Sequence, residues 1–112
     1  MPSKVIITRP NTDAITLSLD LHGLKGNTRL KLAGLLIADI SDHFSDQFIG
    51  ANQDLKSKEL NMTIIVPALL GHEHAVITYT LSGAATPYSN TVKLPFDPIT
   101  GVATHRMNFI FK

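Results

Sequence analysis

Histidine is the side chain in this sequence best suited to bind a metal or move a proton near neutral pH, and two of the five histidines stand close together. His72 and His74 flank Glu73 at the start of a run in which apolar and polar residues alternate. In a strand, both imidazoles would point to the same side and could share one ion. His22, at the end of another alternating run, would add a third nitrogen ligand of the kind that Zn²⁺ or Cu²⁺ takes. His72, His74 and His22 are therefore the candidate metal ligands.

A second pair, His105 and Met107, has a spacing that resembles soft copper ligands. Alternation places this pair on the same side as Phe109 and Phe111, which we expect in the core. The first histidine pair lies on a wetter face, so a site that joined both pairs would need a bulge in a strand. A histidine on an apolar face is more often a hydrogen-bonded core residue than a ligand. We therefore expect no cofactor, with a zinc or copper site as the alternative.

Groups for acid–base or nucleophilic catalysis are present only as scattered residues. Asp39, Asp42 and Asp46 are spaced by three and four residues, which on a helix is typical of a solvated face. The sequence contains no nucleophile-elbow, phosphate-binding or helical zinc-protease motif, and no cysteine. It favours a non-catalytic β-sandwich assembly or recognition module with a structural or protein-binding role. A small metal- or ligand-binding protein using the histidines, and possibly catalytic, is the alternative.

The elements that must position these residues are mainly strands. Four leucines and isoleucines alternate with polar residues over 14–22, a pattern that a helix would spread around its circumference. Similar alternation recurs over 75–81, 91–96 and 102–111. The most apolar stretch, 60–83, reads as two strands joined by a short turn, a central hairpin. Turn signals between these runs predict one domain over 1–112, an antiparallel β-sandwich of the Ig-like or jelly-roll-like kind, or a partly open barrel.

Residues 35–49 are ambiguous. Apolar residues recur there at the three- and four-residue spacing of an amphipathic helix: Ile37, Ile40, Phe44 and Phe48. We favour one helix over this range, the only one expected in the chain, with two short strands around a bend as the alternative. The polar residues 50–59 that follow predict a surface loop.

The number and distribution of charged residues limit the kinds of partner that the protein can bind. The net charge is +1 and the basic residues are scattered, with Arg29/Lys31 and Lys56/Lys58 as the only local pairs. We interpret both pairs as solvated charges at strand or loop edges, so we expect neither nucleic acid nor a membrane as a partner. The N-terminal residues lack the apolar core of a signal peptide, which makes the cytoplasm the default location.

Charged residues make up only 17% of the chain, below the usual quarter, while hydrophobic residues make up 44%. A small domain exposes much of its surface, and few charges are available here to cover it. We therefore expect a homo-oligomer, most simply a two-fold dimer, with another protein as a possible further partner. The apolar surplus predicts the interface residues: Leu35, Leu36, Phe44 and Phe48.

Overall fold

A computed structural model describes residues 2–112 of the chain as two packed β-sheets. The elements are β1 (Ser3–Ile6), β2 (Ala14–Asp20), β3 (Asn27–Leu32), β4 (Leu35–Ser41), β5 (Phe44–Ala51), α1 (Asn52–Leu55), β6 (Glu59–Pro67), β7 (His74–Ser82), β8 (Tyr88–Pro95) and β9 (Val102–Phe111). One sheet has the order β1-β9-β6-β3-β4 and the other the order β5-β2-β7-β8. Neighbouring strands are antiparallel, apart from the parallel pair β1 and β9. The prediction of a mainly-β sandwich with at most one short helix is confirmed.

The core lies between the two sheets and follows the alternation in the sequence. In β7 every second residue from Ala75 to Leu81 is buried, and β9 shows the same pattern from Ala103 to Phe111. Strand β2 does likewise. Because side chains alternate across a strand, each of these segments supplies a continuous apolar face to one hydrophobic cluster.

Residues 35–49 form strands, so the favoured helix is wrong and the alternative of two strands around a bend is correct. Strand β4 is the edge of the five-stranded sheet, and β5 is the edge of the four-stranded sheet. The chain turns between them at Asp42, whose φ is 65°, and Asp46 has a φ of 52°. Each left-handed residue and each bulge shifts the phase of a strand. Repeated shifts turned a two-residue period into an apparent helical one.

The predicted central hairpin is also wrong. Strand β6 pairs with β3 and β9 in one sheet, whereas β7 pairs with β2 and β8 in the other. The loop 68–73 therefore crosses between the sheets instead of closing a two-stranded turn. The expected surface loop over 50–59 is wrong in part, since it contains α1 with the buried residues Asn52 and Leu55.

Asn52 ties together three segments that are distant in sequence. Its side-chain Nδ2 donates to the backbone oxygens of Asp13 at 2.8 Å and Gly83 at 2.9 Å. Its Oδ1 accepts from the backbone N–H of Arg9 at 2.9 Å. The side chain is fully buried, and its three hydrogen bonds satisfy backbone groups just after β1, just before β2 and just after β7. Asn52 therefore fixes the end of the molecule opposite the loop 68–73.

Candidate functional site

The predicted metal ligands lie near the same end of the sandwich but form no ligand set. His22 follows β2, and its Nε2 lies 2.8 Å from Oγ1 of Thr78 on the outer face of the four-stranded sheet. His72 is exposed in the loop before β7, and His74 is the first residue of that strand. Within residues 2–112, no three histidine, aspartate or glutamate side chains are grouped so that they could hold one metal ion. The histidines therefore stay candidates without a coordination geometry.

His105 has a different environment, in the core between the sheets. Its Nε2 lies 3.2 Å from the hydroxyl of Tyr79, and the two rings stack at a centroid distance of 5.5 Å. The Tyr79 hydroxyl also accepts from Nδ2 of Asn90 at 3.0 Å, so its own proton is free to go to His105. Burial lowers the pKa of the His105 imidazole, which favours the neutral ring as acceptor. This chain of polar groups joins the sheets; it has the character of a structural link.

The four predicted interface residues divide into two groups. Leu35 and Leu36 on β4 are 73% and 55% exposed, and Phe48 on β5 is 59% exposed. Phe44, in contrast, packs against the core beside Leu19, so it contributes to the fold of one chain. The three exposed residues all lie on edge strands, and both edges are on the side of the sandwich where β4 continues into β5. Three of the four residues therefore present exposed apolar side chains at this edge, and their role as an interface stays a prediction.

An apolar tip, which the sequence pattern does not predict, lies at the end that carries His72. Leu70 is fully exposed and Ile99 is 93% exposed, with Leu69 beside them at 52%. A hydrogen bond from Ala68 N to Gly101 O holds the two loops together. The signal in the sequence is the pair Leu69–Leu70 directly before Gly71, in a stretch whose pattern predicts a hairpin turn.

The outer face of the five-stranded sheet carries an open groove of about 780 Å³. Its lining includes Arg29 and Lys31 from β3, Asn61, Thr63 and Ile65 from β6, and Arg106 from β9. We call these six residues the basic groove. The pair Arg29/Lys31 thus lies on an inner strand and not on an edge, which corrects the interpretation as edge charges.

A second depression, of about 520 Å³, lies between residues 7–10 and Lys56 at the opposite end from the apolar tip.

Comparisons with known proteins find no matching family model, no matching curated protein and no matching solved structure. In the described part of the chain, no helix has the length and apolarity needed to cross a membrane.

Proposed function

We propose that this protein is a non-catalytic β-sandwich module that acts by assembling with a second copy of itself through the β4 edge. The observation that carries the proposal is the exposure of Leu35 and Leu36 on an edge strand, with Phe48 on the adjoining edge. An edge strand presents unpaired backbone N–H and C=O groups, to which another strand can be added. An added strand can also bury the apolar side chains that such an edge exposes.

A second copy suits this surface because one patch serves both partners. Two β4 strands can pair antiparallel around a two-fold axis, which continues the five-stranded sheet into its copy. Burial of each exposed leucine or phenylalanine is worth roughly 1.5–3 kcal/mol. Strand β5 is a poorer pairing edge, since its register with β2 shifts twice and Asp46 is left-handed. We therefore assign the pairing to β4 and side-chain packing to Phe48.

The remaining edges are less suitable. Strand β1 is only four residues long. Strand β8 is regular, but its exposed residues Ser89, Thr91 and Lys93 are polar. It begins directly after Pro87 and ends at Pro95, and prolines lack the N–H that pairing needs. The apolar tip around Leu70 has exposed side chains but no strand edge.

Sedimentation equilibrium of the full chain at micromolar concentration tests the proposal. We expect a mass of twice 12.2 kDa, which Leu36→Asp and Phe48→Asp reduce to the monomer. Leu70→Asp is the matched control, because it places the same charge on a fully exposed leucine away from β4 and should leave the dimer intact. A concentration-independent species of 12.2 kDa, or a dimer that only Leu70→Asp dissociates, would contradict the proposal.

A further inference from the structure

We propose that the basic groove binds an acidic polysaccharide, that is, a sugar chain bearing carboxylate or sulfate groups. This inference concerns the outer face of the five-stranded sheet and does not depend on whether the β4 edge pairs with a second copy.

The shape of the groove follows from the lengths of side chains on three neighbouring strands. Thr63 on β6 is paired in register with Arg29 on one side and Arg106 on the other. The short side chain forms a floor between two long cationic ones. Neighbouring strands lie about 4.8 Å apart, so the two arginines stand about 10 Å apart across the sheet. Lys31, two residues along β3, adds a third cation about 7 Å further along the groove.

The charge on the groove is incompletely neutralised. Arg29 Nε lies 3.4 Å from Oδ2 of Asp39 on β4, and Oδ1 of Asp39 also accepts from Asn27. Among residues 2–112, neither Lys31 nor Arg106 forms an ion pair. Three cations, Arg29, Lys31 and Arg106, thus share this face with two carboxylates, Asp39 and the exposed Glu59 two residues from Asn61 on β6, so an excess of one positive charge remains to attract anions. Guanidinium groups can bind carboxylate or sulfate oxygens with two parallel hydrogen bonds.

The floor of the groove offers neutral hydrogen-bonding groups. Asn61 Nδ2 donates to Oδ1 of Asn108, and Asn108 donates in turn to Glu59 at 3.0 Å. These bonds fix the Asn61 amide and leave its oxygen as an acceptor for a ligand hydroxyl. The Thr63 hydroxyl lies on the same floor. Ile65 at one end is 41% exposed and can contact the apolar face of a sugar ring.

Amides, a hydroxyl and unpaired cations together fit a polyol that carries negative charges. Single-stranded nucleic acid fits less well, because its bases need aromatic rings on which to stack, whereas a densely charged polysaccharide can be held through its anionic groups without stacking. No aromatic residue lines the basic groove; Tyr79, Tyr88 and Phe109 pack together on the inner side of the sheets. In the second depression, the cations Arg9, Lys56 and Lys112 stand on loop or terminal residues, so they are positioned less firmly than cations on paired strands.

Isothermal titration calorimetry at 50 mM salt tests the site with two probes, a heparin-derived octasaccharide and an oligogalacturonate, and with a neutral dextran oligomer for comparison. We expect at least one acidic probe to bind and the neutral one not to bind. Arg106→Gln should weaken binding about ten-fold, since one charge-assisted contact is lost. Lys93→Gln, on the exposed face of the other sheet, is the matched control and should leave the affinity unchanged.

Three results would overturn the assignment. The first is that neither acidic probe binds at millimolar concentration. The second is that Lys56→Gln or Lys93→Gln weakens binding as much as Arg106→Gln. The third is that a twelve-residue thymidine oligonucleotide binds more tightly than both saccharides and loses affinity in Arg106→Gln, which would assign the groove to nucleic acid. Arg106 is exposed, so its variant should fold, and an unchanged melting temperature checks this.

Discussion

Replacement of Asn52 should destabilise the protein more than any other change of one polar side chain that retains its size. In Asn52→Leu, the Gly83 carbonyl and the Arg9 N–H lose their side-chain partner, whereas the Asp13 carbonyl keeps its bond from the backbone N–H of residue 52. Each polar group left without a partner away from water costs about 1–3 kcal/mol. Because both groups are only partly buried, we expect a loss of about 2–4 kcal/mol, a large share of the roughly 5–15 kcal/mol of a typical domain.

The variant Asn52→Asp changes the hydrogen-bonding pattern at this position while it keeps the size and shape of the side chain. The new carboxylate can still accept from Arg9, but its second oxygen faces two carbonyl oxygens in place of the donor that they require. Burial and these neighbours raise the pKa of the new carboxyl in the folded state above its unfolded value. Protonation then restores one donor. The variant should therefore be closest to wild type in acid, and its deficit should grow as pH rises through the folded-state pKa.

Urea denaturation, monitored by far-ultraviolet circular dichroism, gives the free energy of unfolding of both variants. Gln53→Glu is the matched control, because it makes the same amide-to-carboxylate change on the exposed neighbouring residue. It should stay within about 0.5 kcal/mol of wild type. If Asn52→Leu and Asn52→Asp also remain within that range at pH 7, Asn52 does not hold the three segments together.

Three further changes test other parts of the core. Thr28→Val should stabilise the fold by about 1 kcal/mol, since the buried Thr28 hydroxyl has no hydrogen-bond partner in the described chain; a lower urea midpoint would contradict this. Gly83→Ala should cost more than the roughly 1–3 kcal/mol of backbone strain alone, because its Cβ would stand 2.0 Å from the Ala14 oxygen. Gly23→Ala is the control, because Gly23 has a φ of 87° and open space around an added Cβ. This variant should lose only the free energy of that backbone strain. Burial lowers the pKa of His105 below its unfolded value, so wild-type stability should fall as pH drops below about 6.5, by at most about 1.4 kcal/mol per pH unit. His105→Gln should reduce this slope, and an identical slope in that variant would assign it to other groups.

The sequence predicts a strand correctly where apolar and polar residues alternate without interruption. Strands β2, β7 and β9 have buried inner faces and lie between two neighbours, so nothing interrupts their alternation. The edge strands β4 and β5 behave differently, whereas the edge strand β8 keeps its alternation. In β4 the register with β3 shifts beside Lys31, and Asp46 in β5 is left-handed. Aspartate tolerates that conformation, but nothing local distinguishes it from an aspartate on a helix.

Pairing partners and polar links could not be predicted because they depend on contacts between distant residues. Strands β6 and β7 are consecutive and equally apolar, which suits a hairpin as well as it suits two strands in opposite sheets. Asn52 stands in the polar stretch 50–59, whose composition predicts a surface residue. Its role depends on Asp13 and Gly83, which lie 39 and 31 residues away. The basic groove likewise needs β3, β6 and β9 side by side.

A dimer formed through β4 would carry two basic grooves, and their relative position leads to a further prediction. A two-fold axis between antiparallel β4 strands stands perpendicular to the sheet, so it would place both basic grooves on the same side of one continuous sheet. A long acidic polysaccharide could then contact both grooves, and its apparent affinity would exceed that of an octasaccharide through effective concentration. Phe48→Asp lies on the other sheet and adds no charge to the groove. It should lower the affinity for the long chain at least about ten-fold and leave that for the octasaccharide unchanged. Equal losses for both lengths would mean that Phe48 acts on the groove itself; no loss for either would mean that the grooves bind independently.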